Sequence, residues 1–194
     1  ISQVGYMLMG LALWTPLALT GTVFYLVHHM IVKANLFLVS GLSRDISGTM
    51  DLDRMGGLYQ AYPVVAVLFF IPAFSLAGFP PLSGFWAKLL LIQASLQVEH
   101  YIVAAIAVAV GLLTVYSMVK IWIEAFWKPL PSSGTGGAAV SYSGWKMAPV
   151  CVLALITLVI GIGAEPVYRL ADTAARELMA PQIYVEAVLG GGRP

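Results

Sequence analysis

The chain has 194 residues, of which 60% are hydrophobic and only 10% carry a charge. Soluble domains carry about 25% charged residues, so this composition, with a mean hydropathy of +0.89, excludes that class and predicts an integral membrane protein in a lipid bilayer. The formal net charge of +1 lacks the basic excess that binding to phosphates requires, so we expect no nucleic-acid partner.

Two apolar stretches open the chain, and each is judged against the roughly 20 apolar residues that a helical membrane span needs. We predict a first, truncated span at residues 1–14 and a second at about 20–42, separated by the sequence WTPLALTG. The chain lacks an initiating methionine and begins already apolar, so we expect it to be a piece of a longer one. The polar link that follows, at about 42–62, predicts an amphipathic surface loop.

The next apolar stretch, residues 63–97, is too long for one straight helix, because about 35 residues at 1.5 Å each exceed a bilayer core about 30 Å thick. Its centre, AGFPPLSGF, combines two prolines without backbone donors and two conformationally permissive glycines. We therefore predict two half-helices, at about 64–78 and 84–97, that form one broken span. The alternative is two full spans joined by a Pro-Pro turn, although each piece is short for that and no charge marks the turn.

Two more spans are predicted, at about 102–127 and 147–164, with a Gly/Ser/Pro-rich loop at 128–146 that we expect to be flexible. The expected fold is therefore all-α, a polytopic transmembrane helix bundle with one broken helix, and residues 1–164 form its transmembrane domain.

The C-terminal segment, residues 165–194, is expected to hold an interfacial helix and a tail. Helical spacing over 166–180 places four apolar residues on one face, with the charged residues mostly elsewhere. These four are Val167, Leu170, Ala174 and Leu178. A short amphipathic helix lying at the membrane surface fits this pattern.

The loops differ in basic charge. The loops at 42–62 and 128–146 contain Arg44, Arg54, Lys128 and Lys146. The loops at 14–21 and 98–101 contain no lysine or arginine. With the broken stretch counted as one span, the positive-inside rule places the two basic loops in the cytoplasm and the C-terminus outside.

Two lysines lie inside stretches that should be in the bilayer, Lys33 and Lys88. A charge at that depth is costly, so it usually faces a protein interior or water and marks an ion or proton route. His29 lies one helical turn before Lys33 and Tyr25 one turn earlier, which predicts a short polar line that takes and releases protons, whereas His28 points about 100° away, towards a different neighbour. Tyr25 and His28 are further candidates for the relay or its exit. The static alternative is that Lys33 snorkels, the histidines bond carbonyls, and Lys88 satisfies carbonyls left over at the break.

Lys120 and Glu124 are also four residues apart, and form either a proton or cation exit or a static ion pair near the end of the fourth span. Three aromatic residues there predict an interfacial belt: Trp122, Phe126 and Trp127. The single cysteine excludes an intrachain disulfide and a cysteine metal cluster. No nucleotide loop, catalytic triad or metal-ligand spacing appears in the sequence, so we expect no metal or cofactor and not an enzyme, whereas the buried lysines favour transport.

Four segments together resemble a known family: HHMIVKANLFLVSGL, GTMDLDRMGGL, SLAGFPPLSGFWAKLLLIQASL and KIWIEAFWKP. Over residues 1 to about 129 the chain resembles the C-terminal part of the D subunit of Mrp-type multisubunit Na⁺/H⁺ antiporters. The break motif is also similar to that of antiporter-like subunits of respiratory complex I and membrane-bound hydrogenases.

The resemblance implies a fourteen-helix fold with two inverted five-helix repeats, of which this chain looks like the last five helices. It implies that Lys33 is the relay lysine of a hydrated polar axis, with His29 its neighbour and Lys88 the broken-helix lysine near the exit. Tyr25 stands where many relatives have a second histidine, so a strictly histidine relay is not expected. The implied partners are other subunits of a hetero-oligomeric complex in a prokaryotic cell membrane, together with protons and monovalent cations, above all Na⁺.

Three hypotheses for function remain open at this point. The first is a cation/proton antiporter subunit that passes protons through His29, Lys33 and Lys88. The second is a proton-translocating subunit of a complex I-like dehydrogenase or membrane hydrogenase, driven by electron transfer elsewhere. The third is a structural membrane subunit that anchors partners, with both lysines in static pairs.

Overall fold

The computed structural model of the chain describes residues 1–129, 144–182, 185 and 188, and within them it contains helices and no strand. The α-helices are α1 (Ser2–Leu13), α2 (Pro16–Ser47), α3 (Leu58–Ala61), α4 (Pro63–Ala77), α5 (Ser83–Gln97), α6 (Tyr101–Trp122), α7 (Gly144–Ile162) and α8 (Glu165–Met179). A 3₁₀ turn at Leu52–Arg54 precedes α3, and a π-helical turn at Ile123–Trp127 continues α6. The predicted flexible loop at 128–146 lies mostly outside the described residues.

Three described helices are long and apolar enough to cross a membrane, namely Pro16–Ser47, Tyr101–Trp127 and Trp145–Ile162. The helices Ser2–Leu13 and Pro63–Ala77 are shorter but also apolar. The chain is therefore a multi-pass membrane protein, and the all-α prediction is confirmed.

The second span is longer than predicted at both ends. Thr15 caps its start, because its Oγ1 accepts a hydrogen bond from the Ala18 amide at 3.2 Å, and Pro16 occupies the first helical turn, where its missing N–H costs nothing. At the other end the Gly48 amide donates to the Arg44 carbonyl at 2.8 Å, with Gly48 at φ 72°. The boundaries predicted at about 20 and 42 were wrong, since capping residues extend the helix beyond its apolar centre.

The link after α2 is packed against the end of α6 rather than fully exposed. Met55 and Leu58 are buried, and the Gly57 amide donates to the Lys128 carbonyl at 2.6 Å. A Cβ at Gly56 would lie 2.7 Å from the Pro129 carbonyl oxygen, so this approach needs a glycine. The link is amphipathic as predicted, but its first residues belong to α2 and it is not a simple surface loop.

The half-helices α4 and α5 lie end to end along the same neighbours. One hydrophobic cluster joins α4 to the C-terminal part of α2, the end of α6 and the start of α7, and includes Val39, Leu42, Val65, Phe69, Phe126 and Val150. A second cluster joins α5 to α1 and to the opposite ends of those three helices, and includes Tyr6, Phe24, Ala87, Leu91, Ala107 and Ile160. The predicted broken span is confirmed, and the alternative of two full spans joined by a turn is wrong.

Helix α7 packs directly against the break between α4 and α5. A Cβ at Gly161 would lie 2.4 Å from the Pro81 carbonyl oxygen, and the Trp86 Nε1 donates to the Gly161 carbonyl at 2.8 Å. The break is therefore held in place by backbone contact with a neighbouring span.

The amphipathic helix α8 exists, but a different face packs on the protein. Ala171 and Ala175 are buried against α2, whereas Leu170 is 66% and Leu178 is 56% exposed. Small residues let two helices approach closely, so the alanines and not the leucines form the contact. Val167 packs in the second cluster, whereas the two leucines stay exposed, so the predicted apolar face at the membrane surface remains a prediction.

A substitution on each face of α8 tests this assignment. Ala175→Leu should lower the free energy of unfolding by about 1–3 kcal/mol, because the added atoms have no space against α2. Leu178→Ala on the exposed face should change it by less than about 0.5 kcal/mol. Thermal unfolding of the solubilised protein measures both, and equal shifts would contradict the assignment.

Candidate functional site

Lys88 lies one turn into α5 and is only 6% exposed. Its Nζ crosses the break and donates to the carbonyl of Ala77, the last residue of α4, at 2.9 Å. The same Nζ lies 5.2 Å from the centroid of the Tyr6 ring. The ammonium is thus held by the negative end of a half-helix and the face of an aromatic ring. Among the described residues it has no carboxylate partner.

The break itself is shaped to admit this lysine. Gly78 ends α4 at φ 91°, and a Cβ there would lie 2.8 Å from the Cδ of Lys88. A side chain at this position would be strained and would meet the lysine, so glycine is required. Lys88 therefore lies beside the break, where the sequence analysis placed it.

His28, and not His29, is the histidine that faces the break. It is 1% exposed, and its Nδ1 lies 2.8 Å from the Ser83 Oγ at the start of α5. The Ser83 Oγ lies 3.0 Å from the Ser75 Oγ on α4, which also accepts a hydrogen bond from the Gly84 amide at 3.3 Å. A chain of three polar side chains therefore joins α2 to both half-helices.

The predicted line of Tyr25, His29 and Lys33 does not lie on one buried face. Tyr25 is fully buried, His29 is half-buried, and Lys33 is exposed on α2 with its Nζ 5.3 Å from the centroid of the Phe37 ring. The physical reason is helical geometry. From Tyr25 to Lys33 the chain advances eight residues at about 100° each, so the two side chains point about 80° apart around the helix axis. The Tyr25 and His29 rings still approach, with centroids 6.4 Å apart.

Tyr25 instead belongs to a second polar cluster between α1, α2 and α6. Its hydroxyl donates to the Gln3 Oε1, and the Gln3 Nε2 donates to the Thr114 Oγ1 at 3.3 Å. The Tyr25 ring stacks on the Tyr6 ring with centroids 5.3 Å apart, and the Tyr6 hydroxyl donates to the Ala107 carbonyl. The cluster therefore includes Tyr6, the residue whose ring faces the Lys88 ammonium.

Asn35 is a further buried polar residue that the sequence analysis did not single out. It is fully buried, and neither amide atom has a hydrogen-bond partner among the described residues. It lies seven positions after His28, which places both residues on the same face of α2. The spacing of seven between His28 and Asn35 is visible in the sequence, but that this face of α2 is buried, together with Val32 and Val39, is shown only by the structure.

The predicted pair of Lys120 and Glu124 does not form. The Glu124 carboxylate accepts instead from the Lys128 Nζ at 3.0 Å, and Lys120 is exposed. The π-helical turn changes the side-chain spacing there, and the Lys128 Nζ also donates to the Asp53 carbonyl at 3.1 Å. Lys128 thus ties the end of α6 to the polar link, and Glu124 pairs with its ammonium.

The predicted aromatic belt is only partly right. Phe126 is buried and stacks on Trp122 with ring centroids 5.1 Å apart, so it belongs to the protein core. Trp127 is exposed, as an interfacial residue should be.

No group of three or more histidine, cysteine or acidic side chains could hold a metal ion within the described part of the chain. Fold and site together define a multi-pass membrane protein with a broken span and ionisable groups buried at its break. Such breaks are typical of transport proteins, where irregular backbone is tolerated only when it lies within protein or lines a cavity.

Residues 1–114 match the family model described as NADH:quinone oxidoreductase/Mrp antiporter, TM. The chain therefore belongs to this family. The family resemblance predicted from the four sequence segments is confirmed.

Two relatives are named as the D subunit of a Na⁺/H⁺ antiporter. The protein from Alkalihalophilus pseudofirmus is 48% identical over 189 residues, which are 97% of this chain and 38% of that protein. The protein from Bacillus subtilis is 37% identical over 194 residues, with the same coverage of 97% and 38%. The chain thus spans less than half the length of these relatives.

Two solved structures share the fold. A chain of the Mrp complex from Dietzia sp. DQ12-45-1b superposes with a TM-score of 0.84 at 38% identity, covering 97% of this chain and 43% of that one. A chain of respiratory complex I from Thermus thermophilus with bound NADH gives a TM-score of 0.75 at 25% identity, covering 90% and 37%.

Proposed function

We propose that this chain forms part of a membrane subunit of a multisubunit Na⁺/H⁺ antiporter, and that Lys88 carries a proton at the break of the broken span. The observation that carries the proposal is the Lys88 ammonium, which is buried beside the break and, among the described residues, is held by a carbonyl and an aromatic ring. The relatives named as antiporter D subunits support the reaction and a hetero-oligomeric setting. Protons and Na⁺ are the proposed cargo, and the chain is not proposed to be an enzyme.

The neutral surroundings of Lys88 suit proton transfer. A lysine paired with a buried carboxylate could not lose its proton without leaving an unpaired negative charge. The Ala77 carbonyl and the Tyr6 ring are neutral, so deprotonation of Lys88 leaves no such charge behind. Both protonation states are therefore accessible at this site.

Lys33 and His29 remain part of the proposed relay, on the other side of α2. Lys33 is exposed near the middle of a predicted span and has no salt bridge among the described residues. A charge at that depth needs a polar neighbour. We assign that neighbour to another segment of the subunit or to another subunit of the complex, which makes this face an interface.

The proposed membrane is the cell membrane of a prokaryote, with the link at 42–62 and the loop at 128–146 in the cytoplasm. Two contacts support a common side for these loops. The Lys146 Nζ lies 2.6 Å from the Asp45 carboxylate, and the Lys128 Nζ donates to the Asp53 carbonyl at 3.1 Å.

A redox-driven proton pump is the second candidate, favoured by the superposition on complex I. The Mrp structure matches at 38% identity against 25% for complex I, which favours the antiporter. Co-purification of flavin or iron–sulfur subunits would favour the pump. A purely structural subunit remains the third candidate.

Exchange driven by a pH gradient tests the proposal. Membrane vesicles from an antiporter-deficient host would contain the complete complex, native or with Lys33→Ala, Lys88→Ala or the control Lys146→Ala. Added Na⁺ should dissipate the gradient in the native and control complexes, and the two relay variants should lose about 10²-fold or more in rate at equal assembly. Native rates in both variants would mean that the lysines are structural. A native complex without any cation response would overturn the antiporter and favour the pump.

A further inference from the structure

We propose that His28, Ser83 and Ser75 form a reversible hydrogen-bond chain that passes protons through the break, with the His28 Nε2 as its open end. The proposal rests on the proposed transport function and adds a second proton carrier beside Lys88. None of the three residues belongs to the predicted line of Tyr25, His29 and Lys33.

The geometry of the chain is continuous. The His28 Nδ1 lies 2.8 Å from the Ser83 Oγ, which lies 3.0 Å from the Ser75 Oγ. These distances are within the range of strong hydrogen bonds. The two serines belong to different half-helices, so the chain crosses the gap where the span is broken.

Each hydroxyl can donate or accept, so the chain can run in two directions. In one, Ser75 donates to Ser83 and Ser83 donates to the His28 Nδ1, which leaves the proton of neutral histidine on Nε2. In the other, the Nδ1 proton is donated to Ser83 and Nε2 is an acceptor. Reversal moves one proton: a hydronium ion gives a proton to Ser75 and becomes water, each hydroxyl passes one proton on, Nδ1 gains one, and Nε2 releases one to a second water, which becomes hydronium.

The unpartnered Nε2 of His28 distinguishes this hydrogen-bond chain from a purely structural contact. The His28 Nε2 is buried and has no hydrogen-bond partner among the described residues. A buried polar atom without a partner is costly, and native proteins usually satisfy it with water. The unpartnered amide of Asn35 lies on the same face of α2, about 10 Å along the helix at 1.5 Å per residue. Water between these two residues would extend the path along α2.

The charged neighbours of His28 come from two helices. Lys88 on α5 and His29 on α2 both interact with it electrostatically, and the Tyr25 ring meets it edge to face with centroids 5.7 Å apart. Towards α4 the described hydrogen bonds of His28 lead, through the Ser83 hydroxyl, to the uncharged Ser75. A proton on Lys88 therefore disfavours a proton on His28, which couples the two carriers.

The test compares Ser83→Ala with the matched control Ser83→Thr in the complete complex. Ser83→Ala removes the hydroxyl next to Nδ1, and exchange should fall about 10²-fold at equal assembly. Ser83→Thr keeps the hydroxyl and should stay within about two-fold of native. His28→Gln should lose as much as Ser83→Ala, and the double variant should lose no more than either, because residues of one chain act as a unit.

Nitrogen NMR of the ¹⁵N-histidine-labelled complex decides the matter independently of exchange. The His28 signals, assigned by their loss in His28→Gln, should shift in Ser83→Ala and stay in place in Ser83→Thr. Unchanged exchange and unchanged signals in Ser83→Ala would overturn the chain and leave the antiporter proposal standing. Equal losses in the alanine and threonine variants would also overturn it. A native complex that exchanges no cation refutes the antiporter alone, and the NMR shift then supports or overturns the chain by itself.

Discussion

Lys88→Arg should abolish exchange even though it keeps a cation at the break. An arginine guanidinium stays protonated at every accessible pH, so it can still donate to the Ala77 carbonyl but cannot release a proton. We expect the exchange rate to fall by about 10²-fold or more, since a proton carrier is lost. A static cation that only satisfies carbonyls would instead be replaced well by arginine.

Exchange in membrane vesicles measures this effect, with the amount of assembled complex measured alongside. Lys128→Arg is the matched control, because Lys128 pairs with Glu124 at the membrane surface and should tolerate arginine. Lys88→Met adds a second comparison. Unlike Lys88→Arg, it removes the charge as well as the proton carrier, and it takes away the donor to the Ala77 carbonyl, at a cost of about 1–3 kcal/mol in stability. Near-native exchange in Lys88→Arg would contradict a proton-carrying role for this lysine.

The break was predictable because its chemistry is local. Pro80 and Pro81 remove backbone donors, and Gly78 permits the φ of 91° that ends α4. The length of the apolar stretch, compared with the thickness of a bilayer, then required a broken span. Lys88 was placed beside the break by simple counting along α5. These predictions needed no knowledge of which helices are neighbours.

The faces of the helices were not predictable in the same way. In a membrane both the packed face and the lipid face of a helix are apolar, so hydrophobic periodicity carries little information about α2. His28 and His29 are adjacent in sequence, and only the packing of α2 against both half-helices decides that His28 is buried. The predicted pairing of Lys120 with Glu124 failed for a related reason, because a π-helical turn was not foreseeable from the residues.

Gly84→Ala should disrupt the broken span, although alanine is the better helix former by about 1 kcal/mol. A Cβ at Gly84 would lie 1.8 Å from the Ser75 carbonyl oxygen and 2.9 Å from the Cε1 and Nε2 of His28. The first of these contacts is with backbone, which cannot rotate away as a side chain can. The half-helices must therefore separate, and we expect the free energy of unfolding to fall by about 3 kcal/mol or more.

Gly41→Ala is the control that isolates this steric effect. Gly41 lies in α2, and no heavy atom lies within 4 Å of a Cβ built there, so alanine should be neutral or stabilising by up to about 1 kcal/mol. The unfolding temperature of the solubilised complex should therefore fall for Gly84→Ala and stay the same or rise for Gly41→Ala. Separation of Ser75 from Gly84 would also break the path from Ser75 to His28, so residual assembled Gly84→Ala complex should exchange poorly. Equal unfolding temperatures in the two variants would mean that the half-helices are not in the contact described for Gly84.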